Sequence, residues 1–127
     1  MLYKEIPTTF TTGSTFSTVV QIGGYDNFVI EVPTFSASIA TVSAACVLNV
    51  ANTSTATEFR RVYIRYGDST AVTHLALKTA YNVGGFFTTA NEACNFKYAR
   101  LELEDGGAAS VAATNILSAK IHVIKNN

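Results

Sequence analysis

The sequence predicts an all-β fold, an antiparallel two-sheet sandwich that is jelly-roll-like, with about eight strands and a short extended arm at the N-terminus. Three observations lead there. Apolar and polar residues alternate with period two, most clearly over residues 96–104, where Ala99, Leu101 and Leu103 share one side and Tyr98, Arg100, Glu102 and Glu104 the other. Clusters of Gly, Asn, Asp, Ser and Thr punctuate the alternating stretches at short intervals. No stretch carries apolar residues at helical spacing over enough turns for a long helix.

Residues 1–14 are expected to form the arm, with Pro7 suiting an edge or a linker better than a central strand. Residues 15–127 then make one domain. Residues 15–22 read as a strand with Phe16, Thr18, Val20 and Ile22 on one face. The turn at residues 23–27 returns the chain through residues 28–32, with Phe28, Ile30 and Val32 inward and Glu31 outward, which predicts a hairpin. Residues 44–50 place Cys46, Leu48 and Val50 inward, and residues 59–66 alternate Val62, Ile64 and Tyr66 against Arg61, Tyr63 and Arg65. Residues 71–80 read as a strand rather than a short helix, because Thr and Val are frequent. A short strand over residues 81–83 and a bend over residues 84–87 follow. Residues 96–104 are expected to have one face on the core and one in water. The last strand, residues 116–124, turns Leu117, Ala119, Ile121 and Val123 inward and Ser118, Lys120 and His122 outward.

At 127 residues the chain has room for one core that closes without cross-links. Charged residues make up 14%, well below the usual quarter, and nine acids balance nine bases. That balance offers no field for nucleic acid or anionic membranes. Residues 1–7 lack the apolar run of a signal peptide, and no stretch approaches the roughly 18 apolar residues of a membrane span, so synthesis in a reducing cytoplasm is expected. Cys46 and Cys94 then read as buried free thiols, a disulfide being the lesser reading. An immunoglobulin bridge would call for a core Trp, and the chain has none.

No catalytic constellation is visible. His74 and His122 lie on different strands without a companion at metal-ligand spacing, and both read as solvent-facing. Nothing in sequence links either to a Ser or Cys nucleophile. Glu102, Glu104 and Asp105 could hold calcium at a strand end, but lack calcium-loop spacing and read as a solvated face with Arg61 or Arg100 across the strands. The chain is therefore expected to be non-enzymatic, without cofactor or metal. The residues with most promise for recognition are Arg61, Tyr63 and Arg65 on one strand face, and Tyr25 and Tyr81 beside Gly-rich bends. Arginine forks pair with carboxylates at interfaces, and aromatics at sandwich tips anchor subunits or hold sugar rings.

The strand over residues 96–104, its Asp105-Gly106-Gly107 turn, the Ala/Ser/Thr loop and the closing strand resemble the C-terminal hairpin of small virion proteins of tailed bacteriophages. Residues 28–35, ending Val32-Pro33-Thr34-Phe35, add to the likeness, which covers about half of the chain. The resemblance implies a jelly-roll or related sandwich that decorates or cements a phage head, a homo-oligomer and most often a trimer. It implies docking on the major capsid protein or another virion protein, and location in the virion after synthesis in the host cytoplasm. Neither nucleic acid nor membrane is an expected partner. The alternative is a carbohydrate-binding sandwich of a phage fibre or tail adhesin, or of a modular enzyme, with a glycan as partner.

Overall fold

The computed structural model describes residues 1–32, 45–65, 72–74, 76–77, 85–88, 95–104, 112–113 and 116–126. Eleven β segments appear among them: β1 (Leu2–Phe10), β2 (Val20–Gln21), β3 (Asn27–Val32), β4 (Ala45–Ala51), β5 (Arg60–Arg61), β6 (Tyr63–Arg65), β7 (Val72–His74), β8 (Ala76–Leu77), β9 (Gly85–Thr88), β10 (Tyr98–Glu104) and β11 (Leu117–Lys125). A 3-10 turn spans Ala56–Glu58.

One sheet has the order β1-β11-β3-β9, and the other β2-β10-β4-β5 with β8 also on β4; all of these pairings are antiparallel. The pairs are nested: β1 with β11, β2 with β10, β3 with β9, and β4 with β5 and β8. A long hairpin folded over into two sheets pairs its strands in this way, and that is the jelly roll. The predicted all-β sandwich is therefore the observed fold.

The core lies between the sheets. Phe10, Ile30, Ala119, Ile121 and Val123 from the first sheet meet Val20, Cys46, Leu48, Val50, Ala99, Leu101 and Leu103 from the second, with Ile22 between them. The inward sets predicted for β4 and β10, and Ala119, Ile121 and Val123 of the set predicted for β11, are among them because strand side chains alternate strictly between faces. In the β4–β10 register Leu101 stands opposite Leu48 and Leu103 opposite Cys46 on the core side.

The extended N-terminal stretch is an edge strand and not a linker. All nine residues of β1 pair with β11, and Pro7 opposite Lys120 is tolerated because an edge strand can lack a donor.

Three expectations are corrected. Residues 15–22 and 28–32 do not form a hairpin: β2 pairs with β10 in one sheet, and β3 pairs with β11 and β9 in the other. The turn between them changes sheets. Ile22 and Gly23 donate to the Lys97 carbonyl, and Asp26 donates to that of Ile124. Gly24 supplies the left-handed backbone the turn needs, with φ of 92°.

The face predicted for residues 15–22 also splits. Phe16 bridges Glu102 while Val20 stands opposite Ala99, so four steps on one strand match three on β10. One extra residue flips the side-chain parity, as in a β-bulge. Phe16 and Thr18 thereby stay exposed while Val20 and Ile22 reach the core.

Residues 59–66 divide at Val62: β5 stays on β4, while β6 pairs with β7 in a separate ribbon, Tyr63 opposite His74 and Arg65 opposite Val72. Arg61 and Arg65 therefore sit in different sheets. Residues 71–80 contribute β7 and β8, as strands, and the glycine bend at 84–87 is largely strand β9. The short strand expected at 81–83 lies outside the described residues.

Candidate functional site

The outward face of β10 was expected in water, and the structure buries it. Arg100, Glu102 and Glu104 are 7%, 5% and 2% exposed, and Asn49 and Val47 beside them on β4 are buried as well. Charged groups withdrawn from water must be paired. Glu102 accepts two hydrogen bonds from Arg61, from Nε at 2.9 Å and from Nη2 at 2.8 Å, in the bidentate geometry that suits a guanidinium. Asn49 donates to the same carboxylate at 3.2 Å and accepts from Arg100 Nε at 3.2 Å. Arg61 also lies 4.0 Å from Glu104.

The Arg100 guanidinium lies between two rings, 3.8 Å from the centroid of Phe16 and 4.5 Å from that of Phe59. Both distances are within cation–π range. Burial pushes the Arg100 guanidinium below its ordinary value while Glu102 opposes the shift.

Arg61, the leading recognition candidate, is thus tied inside its own chain by Glu102. Beside it opens a cleft of about 530 Å³ lined by Val50–Thr53, Glu58, Arg60–Val62 and Phe96. Its volume is in the range of small-ligand sites, about 300–1,000 Å³. Arg60 projects there on a fixed stem, its Nη1 donating to the carbonyls of Thr57 at 2.8 Å and Phe59 at 3.0 Å.

Tyr25 lies in a second depression, of about 320 Å³, with Leu2, Lys4, Gln21, Gly23, Gly24 and Lys125. Its ring is half-buried against the core. Tyr63 and Arg65 are placed by backbone only, in β6, and Tyr81 lies outside the described residues. Tyr25 and Arg61 line different depressions.

Both depressions open at the same end of the sandwich. Tyr98 stands opposite Gln21 on one side and Ala51 on the other, while Leu2 stands opposite Lys125 at the matching end of the first sheet. The ridge between them is the entry to β10. Gly23 is packed closely there: a Cβ would lie 3.1 Å from the Lys97 Cα, so a side chain would press on the ridge. Lys4, Lys125, Phe96 and Arg60 had no signal in the sequence as a group. Positions that far apart meet only through the nested pairing.

His122 is more covered than predicted, its side chain 12% exposed. The ring stacks on Tyr3 with centroids 5.7 Å apart. The Tyr3 hydroxyl is hydrogen-bonded to Nδ1, and Nε2 donates to Glu31 at 3.0 Å. With both nitrogens engaged, the imidazole ties β1, β11 and β3 together rather than presenting a base. Next to it Lys120 and Glu5 pair at 3.0 Å. That contact holds the Glu5 carboxyl below its ordinary value and the Lys120 ammonium above it.

Cys46 is a free thiol in the core, and burial pushes it far above its ordinary value, which removes the reactive thiolate. Cys94 and Asp105 lie outside the described residues, as does the His74 side chain. Among the described residues no group of three His, Cys, Asp or Glu converges in a way that could hold a metal ion.

Comparison with known proteins finds no matching family model, no matching curated protein and no matching solved structure.

Proposed function

We propose that the protein is a non-enzymatic structural protein of a virion, a decoration protein of a tailed-phage head that self-associates and docks on the shell. The observation that supports this most is the side of the sandwich built by β1 and β2. Met1, Leu2, Tyr3, Phe16, Val19 and Ile116 lie on or beside it, and of the large apolar side chains exposed among the described residues only Phe96 lies elsewhere. Ile116 directly precedes the residue opposite Phe10. Tyr3 and Phe16 also pack on His122 and Arg100 of their own chain, and a subunit contact would bury what stays exposed along this edge. Burial between copies or against a shell would stabilise the assembled state by mass action. A trimer is the expected order, following the likeness to small phage virion proteins.

Light scattering on the purified chain tests this. The wild type is expected to be a symmetric oligomer at micromolar concentration and to co-sediment with phage heads. Val19→Glu with Ile116→Glu is expected to yield a folded monomer with the wild-type far-ultraviolet dichroism, since both side chains already face solvent within the chain, and with a melting temperature lowered by the loss of association. A monomeric wild type that stays in the supernatant would sink the proposal.

The two depressions support a second reading, a glycan-binding sandwich. Each offers one aromatic side chain, Phe96 or Tyr25, with hydrogen-bonding groups around it. Aromatic bodies that hold a sugar face, with polar groups that fix its hydroxyls, are the usual makings of such a site.

A further inference from the structure

We infer that the end of the sandwich carrying both depressions binds an acidic polysaccharide, a polymer with uronate carboxylates, that crosses the β10 entry from the Phe96 cleft to Tyr25. The inference rests on the glycan-binding reading and adds the charge and the path of the ligand.

The charge argument starts from a chain whose net charge is zero. Arg60 lines the first depression, Lys4 and Lys125 line the second, and Lys97 stands on the ridge between them. Against these four cations this end presents two carboxylates among the described residues, Glu58 in the first cleft and Asp26 in the β2–β3 turn. Asp26 is already engaged, its Oδ2 accepting from the Asn126 backbone N–H at 2.6 Å. None of Lys4, Lys97, Arg60 and Lys125 has an ion-pair partner among the described residues. By contrast Arg61, which also lines the first cleft, and Lys120, elsewhere on the sheets, are paired with Glu102 and Glu5 and add no net charge. Cations without local partners on one rim of a neutral protein form a positive field directed at that rim.

The path follows from the same geometry. Gly23 lines one depression and its backbone N–H donates to Lys97, whose neighbour Phe96 lines the other, so the two are separated by a single strand entry. A chain molecule lying across that entry would meet Phe96, Lys97 and Tyr25 in succession. Asn52, Thr53 and Gln21 supply amide and hydroxyl groups for sugar hydroxyls, and Glu58 adds acceptors.

Four dispersed cations suit a polymer with one carboxylate per ring at most. Double-stranded DNA carries one charge per roughly 1.7 Å and draws on a denser set of phosphate contacts, which this rim lacks.

Calorimetric titration with hexagalacturonate, with maltohexaose as the neutral control and an oligodeoxythymidylate as the nucleic-acid control, tests the inference. The acidic hexasaccharide is expected to bind, with affinity falling about tenfold between about 50 and about 300 mM salt as the lysines are screened. The Lys4→Gln, Lys125→Gln double variant is expected to lose about tenfold at low salt and about half of the salt dependence, Arg60 and Lys97 keeping the rest. Phe96→Ala is expected to weaken binding while leaving that salt dependence in place. Equal binding of maltohexaose would overturn the charge inference and leave glycan binding standing. Binding of neither sugar would overturn both. Tighter binding of the oligonucleotide would assign the rim to nucleic acid instead.

Discussion

Glu102 is the residue on which the buried polar face of β10 turns. Its carboxylate holds Arg61 by two hydrogen bonds and Asn49 by a third, and Asn49 in turn holds Arg100. Truncating it leaves a part-buried guanidinium and a buried amide without their acceptor. Removing one partner of a buried pair costs about 3–5 kcal/mol, and Arg61's partial exposure puts the expected loss for Glu102→Ala near the bottom of that range, at about 3 kcal/mol. Glu102→Gln keeps one acceptor oxygen and is expected to cost less, about 1–2 kcal/mol. Urea denaturation of both variants checks the order; equal midpoints for wild type and Glu102→Ala would show that the network contributes nothing net. On the same grounds Arg61→Ala should lower stability in the isolated chain, not only in an assembly.

Between elements, the Glu5–Lys120 pair that fastens edge strand β1 to β11 is a contact that depends on pH. The Lys120 hydrogen bond, and then its charge, hold Glu5 below its ordinary value of 4.5. A carboxyl depressed in the folded state contributes stability above its unfolded value, and that contribution is lost as pH falls through the folded one. The wild-type melting temperature should therefore decline below about pH 4.5 more steeply than that of Glu5→Gln, with the two curves parallel above it. The effect is small because both side chains face solvent. Parallel curves throughout would show that the pair adds nothing.

Strand identity was legible at this scale where period-two patterning met a well-filled core, as in Ala99, Leu101 and Leu103 or Ile121 and Val123. It was not legible at the β2–β3 turn. A Gly-Gly turn between two alternating stretches suits a hairpin and a sheet crossing equally, and only the hydrogen bonds to Lys97 and Ile124 decide between them.

For the whole molecule, nested pairing places the first and last strands side by side along nine residues. Closure of the first sheet therefore depends on both ends of the chain. Deleting residues 1–10 removes the buried Thr8 and Phe10 and uncovers one edge of β11. The shortened chain is expected to lose cooperative unfolding and near-ultraviolet dichroism while keeping β content in the far ultraviolet. A truncated chain with a sharp transition would show that these residues are an independent arm after all. The same nesting explains why the rim was invisible in sequence. Leu2, Gln21, Tyr25 and Lys125 share a depression only because β1 meets β11 while the β2–β3 turn passes over β10.

What the sequence determined by itself is the all-β class and the inward residues of β4 and β10, with Ala119, Ile121 and Val123 of β11, because side-chain alternation and turn chemistry are local. The tertiary structure alone decided that the charged face of β10 is buried, that the Gly-Gly turn changes sheets and that scattered lysines converge on one end. Those outcomes depend on which strand lies beside which. A strand's own period of two is the same whether its outer face meets water or a layer of Phe16, Phe59 and Arg61.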